Sequence, residues 1–340
     1  MPARFGILPA GSAQYPPATP PTQCVDDVLH EVRLARDLGL DGVFFAQHFL
    51  SDPFYTLQSI PLIGRVTPES GNMTLGATIV LLALLNPVEV AEYITTLDAI
   101  TNGRMVLGVG LGYREIELEA FGLERKNLLS RFEESLEVLK MVLTNETVNF
   151  DGKFFRLKNV KVSLRPIQRP RPQIWLAADS DAAVKRAARY GDTWIAPPHN
   201  SFNTLQRQLS IFKSERDAAR LAHPSAMPLR RELYLDNDRD KARKEAEPFV
   251  MNKFKVLREW GQDKAVPKGD EFTASYDEFV SSFRFIIGTP DDCIDVLSKL
   301  YDAGFNYFLF RTKWPGLDSQ LSRKTIQLLG EKVVPYFRQK

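Results

Sequence analysis

Cysteine is nearly absent from this chain of 340 residues: Cys24 and Cys293 stand alone. Two such residues cannot staple a small secreted scaffold, and they read as buried apolar side chains rather than reactive thiols. Histidine is scarce too, with His30, His48, His199 and His223 and no HxxE, HxH or CxxC pairing, so no metal site is expected. An excess of charge of one sign is also missing. Lys and Arg number 44 against 42 for Asp and Glu, a net of +2, which leaves no electrostatic footprint for nucleic acid or an anionic membrane. The longest apolar stretch, residues 75–85, falls well short of the roughly 20 residues that span a bilayer. Ahead of Phe5-Gly6-Ile7-Leu8 there is no signal-peptide core, so the cytoplasm is the expected compartment.

What is present is the composition of a soluble enzyme with a large core, 44% hydrophobic and 25% charged. Short apolar runs at 5–8, 42–46, 73–82, 105–111, 174–178, 193–196, 229–235 and 307–310 alternate with amphipathic stretches. Near-continuous hydrophobicity suits strands covered on both faces, as parallel strands are. Between them, Val25, Val28, Leu29, Val32, Ala35 and Leu38 form one helical stripe, and Phe132, Leu136, Leu139 and Leu143 another. Gly39 and Gly103 sit where helices should stop, and Thr289-Pro290 reads as N-cap and first helical residue.

Eight strands alternating with helices permit a closed barrel or an open doubly wound sheet. An open nucleotide-binding sheet should carry GxGxxG after its first strand. Here that connection is Pro9-Ala10-Gly11-Ser12-Ala13-Gln14-Tyr15-Pro16-Pro17, and Gly108-Val109-Gly110-Leu111-Gly112 shows only strand alternation. The expectation is therefore a single (β/α)8 TIM barrel domain spanning residues 1–340. A hairpin insertion precedes the fifth strand at 146–172, and a mobile mouth loop at 261–282 precedes the eighth.

In a barrel, chemistry collects at the C-terminal ends of strands. The second strand ends Phe45-Ala46-Gln47-His48, which puts His48 where an acid, a base or a charge stabiliser would sit, or simply a hydrogen-bonded strand end. Thr78 and Ile79 follow small residues on the third strand, which suits a flat ring or ordinary packing. Gly110 and Gly112 permit close backbone approach, and Arg114 reaches either a phosphate or solvent. Ser180, flanked by Asp179 and Asp181, offers a phosphate cradle or an ordinary N-cap. Trp194 and His199 close the sixth strand, and Arg311, Lys313 and Trp314 close the eighth. No GxSxG nucleophile elbow occurs.

Several segments together resemble the bacterial luciferase-like flavin-dependent monooxygenases over nearly the whole chain. They run Leu40-Asp41-Gly42-Val43-Phe44-Phe45-Ala46-Gln47-His48-Phe49, Asn86-Pro87 with Ala91-Glu92 and Leu97-Asp98, Asn102-Gly103-Arg104-Met105-Val106-Leu107-Gly108-Val109-Gly110, Glu119-Ala120-Phe121-Gly122, and Ile287-Gly288-Thr289-Pro290-Asp291-Asp292-Cys293. The resemblance implies a cytoplasmic homodimer that takes reduced FMN from a separate flavin reductase. Reduced FMN would react with oxygen to a C4a-hydroperoxide, which oxygenates a small organic substrate. It makes His48 catalytic, puts a non-proline cis peptide at Thr78-Ile79, and gives Ser180 the phosphate. Cofactor contacts are expected from Thr78, Ile79, Gly110, Gly112, Tyr113, Arg114, Asp179 and Ser180. Five residues depart from the pattern: Gln47 and Phe49 flank His48, Leu111 stands where an arginine binds phosphate, and Ala177-Ala178 replaces a glycine pair. Arg114 is the expected substitute for that arginine. A deazaflavin-dependent hydride-transfer enzyme is the alternative reading, and a non-catalytic flavin-binding partner subunit is a third.

Overall fold

The computed structural model describes residues 2–10 and 14–339. Gly11-Ser12-Ala13 of the first connection lie outside the described residues, as do Met1 and Lys340. The strands are β1 (Arg4–Leu8), β2 (Gly42–Phe45), β3 (Thr74–Leu81), β4 (Met105–Gly110), β5 (Gln173–Ala177), β6 (Thr193–Ile195), β7 (Pro228–Leu235), β8 (Phe285–Gly288) and β9 (Tyr307–Arg311). They form one sheet in the order β6-β5-β4-β3-β2-β1-β9-β7-β8, parallel at each pairing. The sheet curls until Ala196, just past β6, bridges Leu229 of β7. The Ala196 N–H donates to the Pro228 carbonyl at 2.9 Å, and the Arg230 N–H donates to the Ala196 carbonyl at 3.1 Å. The ring is the expected TIM barrel.

β8 is a ninth strand that the apolar pattern did not single out. β7 pairs with β9 over Pro228–Glu232 and with β8 over Glu232–Leu235, so its upper half leaves the ring. The insertion at 146–172 does carry a hairpin, Val148–Asp151 against Arg156–Val160. The stretch at 261–282 is more structured than a plain loop. It contains a 3-10 turn at Gln262–Ala265 and a helix at Tyr276–Ser281 started by a Ser275/Glu278 capping box. Phe272 and Phe279 pack there with Phe254 and Phe285 in a second apolar cluster.

The expected helix ends hold. Gly39 at φ +71° and Gly103 at φ +75° take the left-handed conformation that closes a helix. Thr289 caps the helix Pro290–Ala303 in a capping box with Asp292. Alternation then sorts each strand. On β2, Val43 and Phe45 join the helix-facing core, while Phe44 points into the barrel. Phe44 stacks on Trp175 with centroids 5.6 Å apart, and Tyr307 meets both rings edge-on. These three rings plug the lower barrel. Gly76 makes room for them, since a Cβ there would sit 2.8 Å from the Phe44 ring. Of the two readings of the small residues on β3, packing is therefore the one that applies to Gly76.

Candidate active site

Above the aromatic plug the barrel opens into a cavity of about 240 Å³. Among the expected residues, His48, Thr78, Ile79, Gly110, Gly112, Tyr113, Asp179 and Ser180 line it. On β2 the inward register runs Phe44, Ala46, His48, so the strand's own period of two delivers the histidine to the mouth. The His48 ring is nearly closed in by Tyr113 and Trp260, whose centroids lie 6.4 Å and 5.4 Å away. Its Nδ1 has no hydrogen-bond partner and lies 3.8 Å from a Glu117 oxygen, too far to bond. Glu117 is occupied elsewhere: it accepts from the Phe49 N–H at 2.9 Å and from Arg114 at 3.4 Å. Burial pushes His48 below its ordinary range against the pull of Glu117, which leaves a neutral imidazole.

A second buried histidine faces the cavity. His199 Nε2 contacts the Gln262 amide nitrogen at 2.8 Å, and the Tyr113 hydroxyl donates to the same amide's oxygen at 3.1 Å. With Gln262 donating, His199 carries its proton on Nδ1, which has no partner. Burial, helped by Arg230 and Lys253, drives His199 well below its ordinary range. Gln262 therefore ties the stretch at 261–282 to the barrel rim. Next to it, Trp260 donates to the Asp52 carbonyl at 3.2 Å.

Residues 4–307 match the family model of the luciferase-like monooxygenases. The chain belongs to that family. It is 26% identical to the F420-dependent glucose-6-phosphate dehydrogenase of Amycolatopsis mediterranei over 326 residues, covering 92% of this chain and 94% of that one. The fold superposes on monooxygenase RslO1 of Streptomyces bottropensis with a TM-score of 0.86, at 23% identity over 98% of this chain and 99% of that one. The FMN complex of the oxygenating constituent of 3,6-diketocamphane monooxygenase, from the CAM plasmid of Pseudomonas putida, gives 0.80 at 17% identity, with 98% and 99% covered. Relatives of this luciferase-like chain thus include FMN monooxygenases and F420-dependent oxidoreductases.

As in the family pattern, the Thr78-Ile79 peptide is cis, and the β3–β4 register shifts between Ala77 and Val80. The buried Thr78 hydroxyl has no partner. Gly110 has a local reason: a Cβ there would collide with the Ile79 side chain. Gly112, at φ +84°, lets β4 turn away from the barrel.

Arg114 is the expected residue that the luciferase-like cavity does not receive. Its guanidinium is buried and donates to the Phe49 and Leu50 carbonyls at 2.6 Å and 2.9 Å. It also stacks 3.9 Å from the centre of the Trp260 ring. Held this way, it braces the loop after His48 and has no reach toward a phosphate. The arginine that does line the cavity beside Ser180 is Arg186. Ser180 caps the helix Asp181–Tyr190, accepting from the Ala183 N–H at 3.3 Å. Arg186 lies two turns along that helix and meets Glu133 at 2.8 Å. The spacing Ser180, Ala183, Arg186 puts all three on one helix face, a signal the sequence did contain.

The wall at β7 and β9 is charged. Arg230, Lys253 and Arg311 line the cavity, and Glu232 is buried beneath them. Glu232 pairs with Lys253, accepts from the Trp314 indole, and has Arg311 3.9 Å away. Burial works to raise its carboxyl, but Lys253 and Arg311 outweigh that and hold it below its ordinary range. Burial and Arg311 push Lys253 down to about 7 despite Glu232. Of the other rim candidates, Trp194 turns outward to donate to the Ala178 carbonyl at 2.9 Å. Lys313 pairs with Asp27 at 3.1 Å, outside the cavity.

Proposed function

We propose that this chain is an FMN-dependent monooxygenase, acting with oxygen on a small organic substrate and receiving reduced FMN from a separate reductase. The observation that carries the reading is one cavity lined by His48, Thr78 and His199, each holding a buried atom without a hydrogen-bond partner: His48 Nδ1, Thr78 Oγ1 and His199 Nδ1. Each such atom costs about 1–3 kcal/mol when left unpaired, so three around one space mark a place for a ligand with a polar edge. A flavin ring has that edge. The walls suit its faces, with Ile79, Gly110, Ala177 and Ala178 offering small or apolar surface. When bound, reduced FMN supplies the two electrons that oxygen chemistry needs.

FMN is favoured over deazaflavin F420 by the anion end. There the helix start at Ser180 and Arg186 can neutralise one phosphate. The next cations are engaged, Arg207 with Asp181 and Lys185 with Glu215 at 3.3 Å. F420 brings carboxylates beyond its phosphate, and beside Arg186, itself paired with Glu133, the neighbouring Arg207 and Lys185 already hold carboxylates. Fluorescence titration with FMN and F420 decides between the two; tighter binding of F420 replaces the monooxygenase reading with hydride transfer.

Arg186→Gln should weaken FMN about tenfold or more and leave riboflavin, which lacks the phosphate, unchanged. Equal losses for both would remove the phosphate from this end. Gly110→Ala should force the Ile79 side chain off its seat toward the cavity. Overpacking of that kind costs about 1–3 kcal/mol of stability, and FMN affinity should fall with it. An unaltered FMN affinity would show that the ring lies elsewhere.

Within the site, neutral His48 holds or moves a proton at its free Nδ1. Tyr113, Gln262 and His199 form a second polar path. The turn at Gln262–Ala265 borders the mouth and Trp260 packs on His48 there, where proton transfers and charge stabilisation are strongest when dry.

A further inference from the structure

Arg230 stands apart from the other charged groups of the mouth. It projects from the inward face of β7, and among the described residues no side chain or carbonyl accepts a hydrogen bond from its guanidinium and no carboxylate pairs with it within 4 Å. Its charged and titratable neighbours come from every wall: Glu232 on its own strand, Arg311 on β9, Asp179 after β5, Tyr113 after β4, with His199 and Lys253 facing it as well. Glu232 is shared by Lys253 and Arg311. That leaves Asp179 as the remaining carboxylate near Arg230, and burial raises Asp179 to about 6. Both histidines are neutral. The wall therefore presents a planar, double-donor cation into the partly open cavity with its charge only partly balanced. Leaving such a group unpaired is costly, and a fork of N–H donors matches the two oxygens of an oxyanion. Leu257, Leu111, Leu176 and Ile195 line the same cavity and can cover an apolar body attached to that anion.

We propose that the substrate is an organic oxyanion, a carboxylate or sulfonate on an apolar body, and that Arg230 is the residue that grips it. This rests on the flavin reading of the cavity. The phosphate end proposed at Ser180 and Arg186 uses other side chains, which lets the two sites be separated by mutation.

The test uses the FMN-loaded protein titrated calorimetrically with hexanoate, hexanesulfonate and hexanol at neutral pH. The two anions should bind at least about tenfold more tightly than hexanol. Arg230→Gln should erase that preference while FMN affinity stays within about threefold, and Arg230→Lys should restore part of it, since a single point cation replaces the fork. Hexanol binding as well as the anions overturns the proposal. So does Arg230→Gln weakening FMN while sparing the anions, because Arg230 would then serve the cofactor. If the parent protein fails to bind FMN, the function proposed above falls. The same probes applied to the flavin-free protein by thermal shift still read the anion preference, so the two failures are told apart.

Discussion

His48→Ala should lower turnover by about 10²–10⁴-fold, the usual worth of a positioned acid or base, and leave FMN affinity and melting temperature near the parent's. Stability should hold because the ring bonds to nothing that its removal would strand. Its Nδ1 has no partner, and Glu117 keeps both the Phe49 N–H and Arg114. The backbone stays fixed as well, since Gln58 donates to the His48 carbonyl at 2.9 Å whatever the side chain. Activity should fall because the mouth loses the neutral imidazole at this position, while the cavity's other histidine, His199, is engaged with Gln262. The pH profile adds a readout that packing would not move. Burial depresses the His48 pKa, so the working neutral form persists through pH 7, and the His48-dependent limb lies on the acid side of 6.5. The Ala variant should lack that limb. If it melts early yet keeps its rate per folded molecule, His48 is structural.

The same burial sets a stability trend. Both His48 and His199 have folded-state pKa values below the ordinary 6.5. Protons therefore bind the unfolded chain more readily, and stability should decline as pH falls below about 6.5.

Most of the barrel was legible because its parallel strands are covered on both faces, and eight apolar runs mark them. His48 was legible for the same reason, as the inward register of Phe44 and Ala46 extends to it. β8 escaped because Phe-Ile-Ile-Gly at 285–288 is short and merges with the helix cap that follows it. Arg114 misled because an arginine after a glycine turn looks free. Its actual partners are carbonyls of Phe49 and Leu50, more than 60 residues away in sequence, which no local pattern shows. The charged wall was hidden in plain text. The run at 229–235 was read as an apolar strand, yet Arg230-Arg231-Glu232 sits in its middle. With a period of two, three consecutive charges on a buried strand must put at least one inside. Here Arg230 and Glu232 face inward, and Arg231 faces out to donate to the Pro197 and Asn200 carbonyls at 2.9 Å and 3.0 Å.

That wall carries the largest expected effect on stability. Glu232→Leu should destabilise the protein by about 3–5 kcal/mol, the usual result of removing one partner from a buried ion pair. Glu232 is 1% exposed and Lys253 4%, so water cannot take over the lost contacts. The substitution would strand the Lys253 ammonium and the Trp314 indole N–H and leave Arg311 facing a second cation without a carboxylate between them. Lys253 has an escape that arginine lacks. Already held near 7, it can release its proton once Glu232 is gone, which limits the loss at alkaline pH. The Glu232→Leu variant should therefore be closest to the parent near pH 9 and furthest from it near pH 6. Replacing both partners, Glu232→Leu with Lys253→Met, should recover much of the deficit, because two apolar groups of similar size leave no charge of the pair uncompensated. Urea denaturation of the parent, the single and the double variants across that pH range measures each of these. A single variant as stable as the parent at pH 6 would mean that Glu232 is not ionised in the folded protein, and the charge balance drawn for the Arg230 wall would then need one more cation neutralised by the ligand.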